Sequence, residues 1–206
     1  LLSLIAGVAT CDVVGEHPIA GHIQGAHPPS HPEEPKPGAG SKRALVKWPN
    51  DVVFTDAGAQ ADEGPALAKL AGILVEGRPQ DGWAVLGIGL NVAVRIDELP
   101  ADVRARAASL QLSSSAIEPI MGRLMEVLER RLAEPAEGVL DAWRARDALF
   151  DREVSWSGGH GRARGIDDEG HLIVSLADDS TVKLDAGEVH LGPADHVQAR
   201  TANPNN

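Results

Sequence analysis

Between Glu153 and Leu191 the sequence changes texture in a way that leaves few folds open. Five short β-prone stretches occur there: Val154 to Ser157, Arg162 to Ile166, His171 to Leu176, Thr181 to Leu184 and Glu188 to Leu191. Their separators are Gly158-Gly159, Asp167 to Gly170, Asp178-Asp179 and Asp185 to Gly187. Glycine and aspartate adopt the backbone conformations that tight turns need. Strands this short and this closely spaced predict a small barrel of their own over 150–192. Upstream the periods are longer. Leu1, Leu4, Ile5, Val8 and Ala9 recur at helical spacing and read as an amphipathic helix, and Ala44 to Trp48 and Val52-Val53-Phe54 read as short buried strands. Leu70 to Glu76 and Trp83 to Val92 read as longer strands. Ile117, Ile120, Met121, Leu124, Leu128 and Leu132 mark a helix, and Val139, Leu140 and Trp143 a second. Both helices are expected to cover one face of the sheet. The fold class is therefore α+β, with a sheet-and-helix layer over 1–148, the barrel, and a polar, disordered tail over 193–206.

Such a fold needs an aliphatic core, because the 206 residues include four Trp, two Phe and no Tyr. Nineteen basic against thirty acidic residues give a net charge of −11, which excludes nucleic-acid binding through bulk positive charge. One cysteine excludes an internal disulfide framework and a cysteine-based zinc cluster. No apolar run reaches the ~18 residues that a membrane span requires, so a soluble, cytoplasmic protein is expected. Six prolines among glycines and small polar residues predict a flexible connector over 15–42. His17, His22, His27 and His31 recur along it, but a loose Pro-rich loop does not fix ligand geometry, and they read as part of a solvated linker. Thr55 to Pro65 reads as a second loop.

Three segments carry the candidate chemistry: Lys47-Trp48-Pro49-Asn50-Asp51, Lys69-Leu70-Ala71-Gly72-Ile73-Leu74-Val75-Glu76, and Gly87-Ile88-Gly89-Leu90-Asn91-Val92. The chain has only five lysines, and two fall in these segments. A lysine leading into an apolar strand either faces an anionic substrate or lays its stem along apolar surface with the amine in water; the segment alone leaves both open. Asn50 and Asp51 follow a proline and suit a turn. Gly72, Gly87 and Gly89 lie in strand-like runs, where glycine weakens pairing unless another group approaches the backbone closely. Asn91 offers an amide donor and an oxygen acceptor. Gly87-Ile88-Gly89 lacks the third glycine and the helix start of a dinucleotide fingerprint.

Taken jointly, these segments resemble the biotin protein ligases, whose K-W-P-N-D block, K-x-x-G-I-L-x-E strand and G-x-G-x-N-x strand occur here in order. Leu1 to Ala9 is similar to the family helix that precedes the block. Gly165-Ile166-Asp167, Gly170-His171-Leu172 and Ala186-Gly187-Glu188-Val189 are similar to the SH3-like domain that closes these enzymes. The resemblance implies a class II synthetase-like mixed sheet of the lipoate–biotin ligase type, with helices and a C-terminal SH3-like barrel. It also implies an ATP- and Mg²⁺-dependent enzyme that forms biotinyl-adenylate and transfers biotin to a lysine of a biotin carboxyl carrier protein.

Residue by residue, the resemblance implies that Lys69 and Asp51 are catalytic, with Lys69 on the biotin carboxyl and adenylate phosphate. Trp48, Asn50, Gly72, Gly89 and Asn91 match ligand-lining positions, and Asp51 and Asn91 match the Mg²⁺ side. Asp51 is also placed to orient or deprotonate the incoming lysine, and Glu76 is a weaker carry-over. Asn50, Asp51, Lys69 and Asn91 are expected to converge on one open side of the sheet. A homodimer is left open, and without a helix-turn-helix no DNA partner is implied. The family's G-R-G-R-x-G-R-x-W loop has no counterpart before Lys47, and Gly159 to Gly165, which looks superficially like it, reads as a hairpin strand. This chain is therefore expected to lack the biotin-loop segment and to be a poor ligase by itself. The alternative reading is a catalytically incomplete nucleotide- or biotin-binding regulatory relative.

Overall fold

The computed structural model describes residues 1–16, 43–55 and 67–192. The expected connector, with its four histidines, most of the Thr55–Pro65 loop and the tail lie largely or wholly outside those residues. The first helix, α1 (Leu2–Gly15), runs through the start of the expected connector and buries Leu4, Ala6, Val8, Ala9, Cys11, Val13 and Val14. A helix that is apolar all round belongs in the middle of a core. Its buried Thr10 hydroxyl donates back to the Ala6 carbonyl at 2.8 Å. Burial also pushes the Cys11 thiol up to about 12, so this cysteine is an inert filler.

Four strands form one sheet in the order β1 (Arg43–Lys47), β2 (Asp51–Thr55), β3 (Ala68–Arg78), β4 (Trp83–Leu90). All three strand pairings are antiparallel. Among the described residues, parallel character, expected from a mixed sheet, is confined to two isolated bridges, Val46 with Asp147 and Lys69 with Ala107. α1 lies close against one face of the sheet because Gly7 has no side chain: a Cβ there would sit 3.0 Å from Val46 Cγ1.

A short helix, α2 (Ala101–Arg104), precedes α3 (Ile117–Leu132) and α4 (Ala136–Arg144). The expectation that the two later helices cover the sheet needs correction. Both pack mainly on α1, which stands between them and the strands. Asp12 of α1 ties this layer together, accepting from Arg131 of α3 at 2.8 Å and from Arg146, just past α4, at 2.8 Å.

The remaining strands are β5 (Glu153–Trp156), β6 (Gly159–Ile166), β7 (Leu172–Ser175), β8 (Thr181–Leu184) and β9 (His190–Leu191). They make a separate antiparallel sheet in the order β8-β7-β6-β5-β9, around Val154, Ala163, Leu172, Val174 and Val189. The glycine- and arginine-rich run from Gly159 to Gly165 is strand β6. A Cβ on its Gly161 would run into the Ser175 carbonyl of β7, so only glycine lets these strands close.

Between the two sheets the chain runs beside β1, with Val46 donating to Arg146 at 2.8 Å and Ala148 donating back to Val46 at 2.9 Å. Asp147 accepts from the Leu149 N–H at 2.8 Å, but its Oδ2 is buried without a partner. Burial pushes its carboxyl up to about 6.

Two expected outcomes follow from this packing. Gly7→Leu should overpack the α1–sheet contact and lower stability by ~1–3 kcal/mol. Gly122→Ala, where a Cβ meets nothing within 4 Å, should raise it by ~0.5–1 kcal/mol through helix propensity. Urea unfolding of both variants checks the opposite signs.

The second concerns Asp147. Its folded value lies above the ordinary carboxylate value, so the native state holds the proton more tightly. Stability contributed by this group is present at low pH and is lost as pH rises through about 6. Asp147→Asn should therefore stabilise by roughly 1–3 kcal/mol at about pH 7.5 and much less near pH 4.5. Equal effects at the two pH values would contradict this account.

Candidate active site

The sheet face away from α1 is open, and the strand register decides which side chains stand on it. Lys47 lies opposite Asp51, Asp51 opposite Gly72, and Gly72 opposite Gly89. Directly opposed residues share a face, so these four form one row across the sheet. Asn91 lies two residues past Gly89, where its N–H still donates to Leu70 at 3.0 Å.

Lys69 reaches this row through an irregularity. Val52 pairs with Ala71 but Val53 with Lys69, so Leu70 is an extra residue on β3. Three residues apart on a regular strand, Lys69 and Gly72 would point to opposite faces. The bulge returns Lys69 to the face of Gly72. Its Nζ then lies 2.6 Å from Asp51 Oδ1. A Cβ on Gly72 would sit 3.2 Å from Lys69 Cε and 3.3 Å from Nζ, so the glycine clears the space in which the lysine lies.

The lysine side chain is 52% exposed and the aspartate 17%. Asp51 Oδ1 is buried and receives no directed hydrogen bond; the contact with Lys69 is an ion pair without directional geometry. Such a pair is readily redirected when a better anion arrives. The Lys69 ammonium turns to the Asp51 carboxylate on the open face while half of its side chain stays exposed.

Asn50 and Asn91 use their amides on the backbone. Asn50 Nδ2 donates to the Ile73 carbonyl at 2.8 Å while its own carbonyl accepts from Ile73 N at 2.8 Å. Asn91 Nδ2 donates to Ala108 at 2.9 Å. Residues 106–108 clamp Lys69 itself: its N–H donates to Arg106 at 2.7 Å and its carbonyl accepts from Ala108 at 2.7 Å. Sequence reasoning missed this support, whose only sign is the short apolar run Ala107-Ala108-Ser109-Leu110.

Trp48 does not join the row. It is 2% exposed, and its indole N–H donates to the Gly170 carbonyl at 3.1 Å, in the turn between β6 and β7. Instead of facing the open side, it joins the hairpin turn bearing Asn50 and Asp51 to the small sheet. Gly170 must be glycine there, with φ at +88° and Leu4 Cδ1 only 2.9 Å from a built Cβ.

Asp167 organises the same turn, accepting from Glu169 N at 3.1 Å and His171 N at 2.9 Å. Burial opposes its ionisation, but Lys183 at 2.8 Å and His171 outweigh that and hold its carboxyl well below the usual range. Glu169 and His171 could join it around a cation, but Lys183 already occupies the carboxylate. Glu76 is exposed on the outer half of β3, four residues from Gly72 and apart from the cluster.

Two lysines and one carboxylate over a floor of bare glycine backbone suit a small anionic ligand, and the oxygen donors suit a hard divalent cation. Comparisons with known proteins identify relatives of the chain. Residues 159–192 match the family model for the biotin protein ligase C terminal domain. The chain is 31% identical over 169 residues to the bifunctional ligase/repressor BirA of Salmonella typhimurium, covering 76% of this chain and 49% of that protein. It is 34% identical over 152 residues to the biotin–[acetyl-CoA-carboxylase] ligase of Mycobacterium tuberculosis, covering 70% and 52%. The chain thus spans about half the length of the curated relatives it matches. Among solved structures it superposes on the Aquifex aeolicus biotin protein ligase in complex with biotin and ATP. There the TM-score is 0.63 at 19% identity, over 94% of this chain and 71% of that one.

The Trp48 contact can be tested directly. Trp48→Phe keeps an aromatic ring but leaves the Gly170 carbonyl unpaired, and should lower stability by ~1 kcal/mol. Amides of residues 167–171 should exchange faster with solvent deuterium. Unchanged exchange there would show that the indole N–H does not hold the turn.

Proposed function

The chain belongs to the biotin protein ligase family, and on that premise we propose that it is the ATP-using part of a biotin–protein ligase. In this reading, residues 1–148 supply the C-terminal part of the catalytic domain and 150–192 an SH3-like closing domain. The observation that carries it is the Lys69 ammonium lying on Asp51 above Gly72. A cation beside facing glycines, Gly72 and Gly89, is what joining a carboxylate to a triphosphate demands.

The biotin carboxylate attacks the α-phosphorus of ATP, the bond to the β-phosphate oxygen breaks, and pyrophosphate leaves. Negative charge gathers on the phosphorus oxygens, and Lys69 offsets it from a part-enclosed position where the Coulomb attraction is only partly screened. A lysine amine of a carrier domain then attacks the acyl carbon, and AMP departs with the electron pair. Asp51 orients that amine or takes its proton once Lys69 has turned to the phosphate, which releases the carboxylate from its present partner. Mg²⁺, when bound, neutralises phosphate charge. The buried Asp51 oxygen without a directed hydrogen bond fits it, and Asn91, on the same side, is the second candidate ligand. Asn50, with its side-chain N–H and its backbone carbonyl both bonded to Ile73, fixes the turn against β3.

The partners in this reading are biotin, ATP and a biotin carboxyl carrier domain, and the setting is the cytoplasm. No helix among the described residues is long and apolar enough to cross a membrane.

Biotin-dependent exchange of labelled pyrophosphate into ATP by the full-length protein tests the reading. Lys69→Ala should lower that exchange by ~10²–10³ while leaving the far-ultraviolet circular dichroism unchanged. Wild-type exchange by the folded variant would remove Lys69 from the chemistry.

A further inference from the structure

Lys47 opens the row Lys47–Asp51–Gly72–Gly89, yet the two-step reaction above gives it no step of its own. Its side chain is 17% exposed, against 52% for Lys69. Among the described residues its single ion pair is with Asp51 Oδ2, at 3.9 Å. That is too long for a hydrogen bond. Lys69 already holds the other oxygen of the same carboxylate at 2.6 Å. Two ammonium groups therefore share one carboxylate, and the more buried one has the poorer contact.

Burial without a close partner is unfavourable for an ammonium. Asp51 and Glu188 attract this ammonium, while Lys69 repels it. Glu188 offers little compensation, because it is 81% exposed. A merely structural lysine would be expected to swing into water or close on its carboxylate. This one does neither.

We propose that Lys47 is a second anion-binding ammonium of the site, placed to hold the pyrophosphate portion of a nucleoside triphosphate on the opposite side of Asp51 from Lys69. This rests on the ligase reading for the identity of the nucleotide, and on strand register and burial for the site itself. An anion entering the row supplies the close counter-charge that Lys47 lacks. The two lysines then divide the work, Lys69 at the reacting phosphorus and Lys47 at the leaving group, with Asp51 between them available to a divalent cation.

Lys47→Met and Lys47→Arg in the full-length protein test this, with inorganic pyrophosphate and Mg·ATP titrated calorimetrically and biotin-dependent exchange measured in parallel. In the Met variant, pyrophosphate affinity should fall and KM for ATP should rise by about tenfold to a hundredfold, with KM for biotin unchanged. The Arg variant should recover most of both. The melting temperature of the Met variant should be no lower than wild type, because an apolar chain replaces a poorly paired ammonium.

Unchanged pyrophosphate affinity together with a lowered melting temperature would overturn the proposal and make Lys47 structural. Equal losses for biotin and ATP would also overturn it, in favour of a general disturbance of Asp51. Binding of free pyrophosphate but not ATP, if dependent on Lys47, would support the anion site and reject the nucleotide. Lys47-dependent binding of both in a protein without biotin-dependent exchange would sustain this site while ending the ligase reading.

Discussion

Everything in this fold follows from one helix being buried on all sides. α1 has no polar face to give to water, so it must be enclosed, and the chain encloses it between a four-stranded sheet and two amphipathic helices. Enclosure from both sides uses up one face of the sheet and the apolar stripes of α3 and α4. The other sheet face is left without a helix layer, and the conserved geometry of an antiparallel ladder then decides which residues stand on it. The open site is a consequence of where the apolar material went.

On that face the electrostatics are unusual for so acidic a chain. Asp51 sits between two lysines, one close and half-exposed, the other distant and more deeply placed. A surface pair of this kind contributes little to stability, and its importance lies in being exchangeable. The carboxylate is the counter-ion of Lys69, and in the proposed function the same group would be a metal ligand or a proton acceptor once Lys69 has moved. Glycines at 72 and 89 keep the floor low enough for a ligand to reach these groups.

The small sheet is part of this arrangement. Through Gly170 it accepts the Trp48 indole N–H, and Trp48 belongs to the turn that carries Asn50 and Asp51. The turn holding Gly170 is in turn shaped by Asp167, with Lys183 and His171 around it. A tryptophan whose position in the motif suggested ligand contact therefore acts as the join between two sheets. The signal that could have revealed this is chemical: a buried indole N–H must find an acceptor, and the glycine-rich turn of a neighbouring hairpin presents one.

Much of this was legible in the amino-acid sequence. Apolar spacing located α1, α3 and α4, and turn residues located all five strands of the small sheet, because both signals are local. The motif order singled out Asp51, Lys69, Gly72, Gly89 and Asn91 as candidates, of which strand register sets Asp51, Gly72 and Gly89 in one row. Sequence alone could not show that α3 and α4 would settle on α1 instead of on the strands, since an apolar stripe does not name its partner. Nor could it show that Leu70 bulges out of the ladder and turns Lys69 onto the face of Asp51, that residues 106–108 clamp that lysine, or that Trp48 points away from the site. Periodicity and residue type are properties of neighbours along the chain; register, bulges and the direction of a buried side chain are settled by pairing between segments distant along it, and only the tertiary structure supplies that pairing.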